Sequence, residues 1–161
     1  MSDILCVYYS RTGRTKRVME EIGGALDAEV IRIKDPVQRN GWVGWLRCGL
    51  DAMKSDTVPV EDIAPCMPLE SYRLVIIGTP VWAGRCSSVV RSFLKTYGSS
   101  LRRTAYVVTR GSEGRFEEIY DQMDQYVAAP RIAGGSVRVG DVGYAFWRDK
   151  FIQEVKTYLG R

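Results

Sequence analysis

A chain of 161 residues with 45% hydrophobic and 26% charged positions can close one apolar core, so a single domain over 1–161 is expected. It contains no histidine, which excludes Ser-His-Asp and Cys-His catalysis and the common imidazole metal sites. Chemistry at neutral pH would therefore fall to a bound cofactor, with no metal ligand set in view. The net charge of +4 is too slight to indicate nucleic acid, and no apolar run approaches the roughly 18 residues of a membrane span. With no basic and apolar leader ahead of the first strand, a cytoplasmic protein is expected.

In chain order, apolar runs of strand length occur at 3–9, 28–33, 73–78, 104–109 and about 132–139. Helical periodicity fills the intervals. Val18, Ile22, Ala25 and Leu26 make the first stripe; Val90, Phe93, Leu94 and Tyr97 the next. Phe116, Ile119, Tyr120, Met123 and Val127 follow, and Trp147, Phe151, Val155 and Leu159 close the series. In "GWVGWLRCGLDAMK", Val43, Leu46, Leu50 and Met53 form a further stripe beside Trp42 and Trp45, which would pack in the core, make a dimer contact or wall a ligand. The segment 54–72, with three prolines, reads as a long surface connection. Strands such as "LVIIG" and "AYVVT" are apolar on both faces, as a parallel sheet covered on either side demands. Alternating β and α elements then predict a doubly wound α/β sandwich, in which ligands bind beyond the carboxyl ends of the strands.

Three loops at that edge carry the candidate chemistry. The first, "SRTGRT", holds Ser10, Arg11, Thr12, Gly13, Arg14 and Thr15 between a strand and a helix. Its hydroxyls, its glycine and the unpaired N–H groups of a helix start suit a phosphate, although an ordinary polar turn has the same composition. It matches neither the G-x-x-x-x-G-K-[ST] loop nor the G-x-G-x-x-G fingerprint, which argues against a nucleoside triphosphatase and a Rossmann dehydrogenase. The second, "TPVWAGR", sets Trp82 beside Gly84; the indole either offers a flat surface to an aromatic ligand or packs over a helix end. The third, "TRGSEGR", again places Gly and Ser ahead of a helix. Cys6, Cys48, Cys66 and Cys86 form no C-x-x-C pair. Cys86, at a helix start beside Arg85, reads either as a redox-sensitive thiol or as a buried, inert one.

Taken together, these loops make nearly the whole chain resemble the flavodoxin family in its short form. The resemblance implies a five-stranded parallel sheet in the order 2-1-3-4-5 and a non-covalent FMN site. Its phosphate would lie at Ser10, Arg11, Thr12, Gly13, Arg14 and Thr15. Pro80, Val81, Trp82, Ala83, Gly84 and Arg85 would line one side and edge of the flavin, and Thr109, Arg110, Gly111 and Ser112 the other. Gly84 would offer a carbonyl to flavin N5 on reduction, through a peptide flip that glycine makes inexpensive. No protein side chain is assigned a catalytic role.

Two departures from the family bear on function. Arg85 stands where an acid is usual, and "RGSEG" carries no aromatic ring. A guanidinium about 6 Å from the reduced ring would favour its anion by roughly 1–3 kcal/mol at an effective dielectric of 20–40, making a weaker reductant than an acidic flavodoxin. The expected function is electron transfer through FMN to an acidic redox partner protein or a small-molecule acceptor. The alternatives are a small NAD(P)H-dependent quinone or nitro-compound reductase using the same flavin, and a flavin-free interaction domain.

Overall fold

The computed structural model describes residues 2–35 and 63–161. The stripe around Trp42 and Trp45, Cys48 and the first part of the predicted connection lie outside the described residues. The connection's described part, 63–72, carries a single 3-10 turn at Leu69–Ser71.

Five strands run parallel: β1 (Ile4–Tyr8), β2 (Glu29–Arg32), β3 (Leu74–Trp82), β5 (Thr104–Thr109) and β6 (Ala133–Val137), in spatial order β2-β1-β3-β5-β6. Counted alone, these parallel strands have the expected 2-1-3-4-5 order. The sixth, β4 (Arg85–Cys86), is an addition: it folds back antiparallel on the end of β3, pairing Val81 with Cys86 and Trp82 with Arg85. What reads in sequence as the second loop is therefore largely strand, because β3 continues through Pro80 to Trp82 before turning.

Alternation along the strands sends side chains to two separate cores. Leu5, Val7, Val75, Ile77, Tyr106 and Val108 face one side, where α2 (Ser88–Tyr97) covers them with Val89, Val90, Phe93 and Leu94. There α3 (Glu118–Asp124) adds Ile119, Tyr120 and Met123. Ile4, Cys6, Leu74, Ile76, Ala105 and Val107 face the other side, beneath α1 (Arg14–Leu26) and α4 (Tyr144–Leu159). Each fully buried aliphatic contributes about 1.5–3 kcal/mol, so both layers are secured by the runs that made the strands legible. The glycines of β6 are a packing requirement. A Cβ at Gly134 would come within 2.7 Å of the Tyr120 ring, and one at Gly135 within 3.1 Å of Phe151, from opposite faces.

Two helical expectations change in detail. Ala25 is exposed, and Met19 takes its place in the stripe. The helix expected from Phe116 to Val127 is confined to Glu118–Asp124. Phe116 holds φ +55°, a left-handed value incompatible with an α-helix. At the other end, Tyr126 and Val127 bond back to Met123 and Asp124 in the tighter i to i−3 pattern. Phe116 and Val127 still pack against the core.

Candidate functional site at the carboxyl edge of the sheet

The first loop begins where β1 runs out. The Tyr9 N–H extends the ladder by one bond to the Gly78 carbonyl (3.3 Å). Ser10 follows at 2% exposure, and its Oγ accepts the Gly13 N–H at 3.0 Å, closing a tight turn. That bond leaves the Ser10 hydroxyl proton for another acceptor. Arg32, at the end of β2, donates to the Ser10 carbonyl at 2.9 Å and fixes the turn from the neighbouring strand. Gly13 then takes φ +98°, a value that favours glycine, and its carbonyl accepts the Arg17 N–H (3.0 Å) as α1 starts.

Gly13 stands at the cap position and brings no side chain to it, and the first turn carries no acid. The N–H groups of Arg14, Thr15 and Lys16 have no acceptor within the helix by its geometry, and the dipole places partial positive charge there. Space above the turn is open, since a Cβ built on Gly13 meets nothing within 4 Å. Thr12, Gly13 and Arg14 are exposed at the rim. A helix start without a side-chain cap, a free hydroxyl proton and exposed cations are groups suited to an anion.

The second segment is a hairpin. Ala83 and Gly84 are its two turn residues, with φ +50° and +75°, the consecutive positive values of a type I′ connection. Gly84 accepts this readily, whereas Ala83 bears a cost of about 1 kcal/mol or more. Behind the turn, the buried Thr79 hydroxyl donates to the Pro80 carbonyl and accepts the Ser87 N–H, each at 2.9 Å, tying strand to helix start. Trp82 turns inward. It is 6% exposed and meets the Tyr9 ring edge-on, with centroids 5.5 Å apart and planes at 88°. Pro80, Val81 and Gly84 are half-buried, while Ala83 and Arg85 are exposed. Cys86 is buried, and burial pushes its thiol up against the opposing pull of Arg91 and Arg85. That is the environment of an inert cysteine.

In the third loop, Arg110 is 8% exposed and points back into the protein. Its Nε donates to Ser136 Oγ at 3.2 Å and its Nη1 to the Ser112 carbonyl at 2.6 Å. The Ser136 hydroxyl donates in turn to the Arg115 carbonyl at 2.5 Å. One guanidinium thus holds the loop at its tip, and through Ser136 at its far end. Burial, then the nearby Arg115, disfavours the charged form. Gly111, Ser112, Glu113 and Gly114 are exposed.

The loops converge. Thr15 Oγ1 lies 2.6 Å from Thr109 Oγ1, joining the first loop to the end of β5. Arg14 Nη1 reaches within 3.7 Å of the Cβ position of Gly111. Residues expected at one site therefore do share one edge, with Trp82 and Arg110 turned inward within it. Four contacts escape the sequence: Tyr9 against Trp82, Ser136 behind the third loop, the Thr15–Thr109 pair, and Trp147 beneath the Arg115 guanidinium at 4.0 Å. The packing of strands, loops and helices brings these partners together across long stretches of chain, so no local motif announces them.

The sequence matches no protein-family model and no curated protein. The structure is similar to several solved ones. A flavoprotein from Lactobacillus acidophilus in complex with FMN superposes with a TM-score of 0.68 at 21% identity, over 91% of this chain and 99% of that one. A Fusobacterium nucleatum flavodoxin bound to flavin mononucleotide gives 0.57 at 10% identity, over 96% and 97% of the two chains. The two-electron reduced flavodoxin of Megasphaera elsdenii gives 0.55 at 14%, over 96% and 98%. Likeness at such identities establishes architecture, and with the parallel order of the sheet it shows that this chain has the flavodoxin-like fold.

Proposed function

We propose that the protein binds FMN non-covalently at the carboxyl edge of its sheet and transfers electrons through it, in the cytoplasm. The observation that carries this reading is the uncapped start of α1, where Gly13 at φ +98° leaves the first-turn N–H groups facing open space between Ser10 and the exposed Arg14. The solved structures of the same fold that contain FMN support it. FMN, when bound, supplies reversible one- and two-electron chemistry.

The chain's own residues bind and orient. Ser10, Thr12 and Thr15 present hydroxyls and the α1 start presents N–H groups to the phosphate; charge-assisted bonds of this kind are worth about 1.5–3 kcal/mol each. On this reading the Ala83–Gly84 turn and the exposed backbone from Gly111 to Ser112 would border the ring. Arg85 is exposed on β4, directly after that turn, and on this reading would add a positive charge near the ring. A carrier with such a rim suits an acidic partner protein.

The test is retention of flavin. Protein incubated with excess FMN and freed of unbound ligand by gel filtration should keep close to one equivalent with a perturbed visible band. A colourless protein would sink the proposal. One observation favours a second reading: the third-loop tip, Gly111 to Gly114, is exposed and contains no ring. A flavin face open there would admit nicotinamide or quinone, and steady NAD(P)H consumption with a quinone would then identify a reductase.

A further inference from the structure

We infer that Thr109 is a positioning residue for the ligand's phosphate, acting through Thr15, although it belongs to the segment that borders the ring. The inference rests on the FMN reading above and concerns how that site tells a phosphorylated flavin from an unphosphorylated one.

Thr15 and Thr109 are 2% and 7% exposed, and their hydroxyl oxygens are 2.6 Å apart. A hydroxyl has one proton and donates to one acceptor at a time. Two arrangements are therefore open to the pair. If Thr15 donates to Thr109, it can offer an approaching phosphate only lone pairs. If Thr109 donates to Thr15, the Thr15 proton is free to meet a phosphate oxygen.

The phosphate group at neutral pH is an acceptor with strong oxygens and a charge near −2. It therefore selects the second arrangement. Thr109 then holds the Thr15 hydroxyl in a donating orientation at the second residue of α1, beside the first-turn N–H groups that face the same anion. Without that partner the Thr15 rotor is unconstrained, and the phosphate must order it on binding. A flavin without a phosphate has no use for the arrangement, so the pair contributes selectivity rather than general affinity.

The experiment titrates the full chain, stripped of flavin, with FMN and with riboflavin, following quenching of flavin fluorescence. Thr109→Val should weaken FMN about two- to tenfold, the range of one neutral hydrogen bond, and leave riboflavin within about twofold. Thr109→Ser, which keeps the hydroxyl, should restore the FMN preference. On a Thr15→Val background the Thr109→Val change should add nothing. Reading the FMN to riboflavin ratio within each variant cancels any general loss of folded protein. Equal losses of both ligands in Thr109→Val would make Thr109 a wall of the ring site and overturn the inference. An unchanged ratio in Thr109→Val, with wild-type FMN binding intact, would overturn it while leaving the FMN reading standing. A wild-type protein that binds neither flavin would remove both.

Discussion

The first and third loops have the same ingredients and opposite arrangements. Each follows a buried parallel strand, precedes a helix and combines serine, glycine and arginine. In the first, the Ser10 turn is closed by a backbone N–H, the arginines lie toward the rim and the helix start is left uncapped. In the third, Arg110 is swallowed, and its guanidinium donates to the Ser112 carbonyl of the loop itself and to Ser136 on β6. A loop rich in polar groups is open to a ligand only where the chain has not already used those groups. Arginine in such a loop lies exposed at the rim in one fold position and is a structural clamp in another.

This comparison is broken most directly at Arg110. Arg110→Ala should remove the clamp and destabilise the protein by about 2–3 kcal/mol in urea unfolding, since bonds from a charged donor are lost and Ser136 loses a partner. A change below about 0.5 kcal/mol would show that the third loop is shaped without its arginine. Gly13→Ala should cost less, about 1–2 kcal/mol, and through backbone strain alone, because the new methyl meets open space. A neutral result there would mean that the first loop can relax away from φ +98°.

Glu21 sharpens the comparison from below, because it anchors the helix that carries the first loop. It accepts from Tyr144 Oη on α4, from Arg148 Nη1 at 3.0 Å and from Arg17 Nε at 3.1 Å. Burial pushes its carboxyl up, but the bonds from Tyr144, Arg148 and Arg17 outweigh that and leave it below the usual glutamate value. A depressed carboxyl contributes stability above its unfolded pKa and loses it as the pH falls through the folded one. Glu21→Gln should therefore cost about 1 kcal/mol at pH 7, with the gap to wild type closing from about pH 4.3 downward. A gap that persists at pH 3 would assign the effect to packing.

The smallest effect is expected between the two loops, at the hairpin. Arg85 is exposed, so solvent screens it and its influence on a bound reduced flavin is weaker than a buried charge would exert. Arg85→Glu should lower the second reduction potential by about 20–60 mV. Potentiometric titration would check this, and no shift at all would mean that the side chain points away from the ring.

Much of the architecture was legible because it depends on local periodicity. The doubly apolar runs of β1, β3 and β5 announce a covered parallel sheet, and stripes such as Ile119, Tyr120 and Met123 announce the helices that cover it. The positions of the loops follow from the same alternation. The start of the third helix was less legible, because Phe116 satisfies a helical stripe while its backbone is left-handed, and packing accepts either. The hairpin escaped as well. Ala83–Gly84 is a weak turn signal beside Asn-Gly, and Pro80 argues against a strand that in fact continues past it.

By itself, then, the sequence determined the alternation of strands and helices, the burial of the sheet on both faces and the gathering of three polar loops at one edge. These follow from hydrophobic period and from the handedness of parallel crossovers, which need only the order of residues. Tertiary structure decided what each loop does with its polar groups. Arg110 turns inward because Ser136 of the adjacent strand is there to receive it, and Thr15 meets Thr109 because the register of β1, β3 and β5 brings residues 94 positions apart within 2.6 Å. Hydrogen-bond partners are chosen by distance in space, and that distance is not written in any local window of the chain.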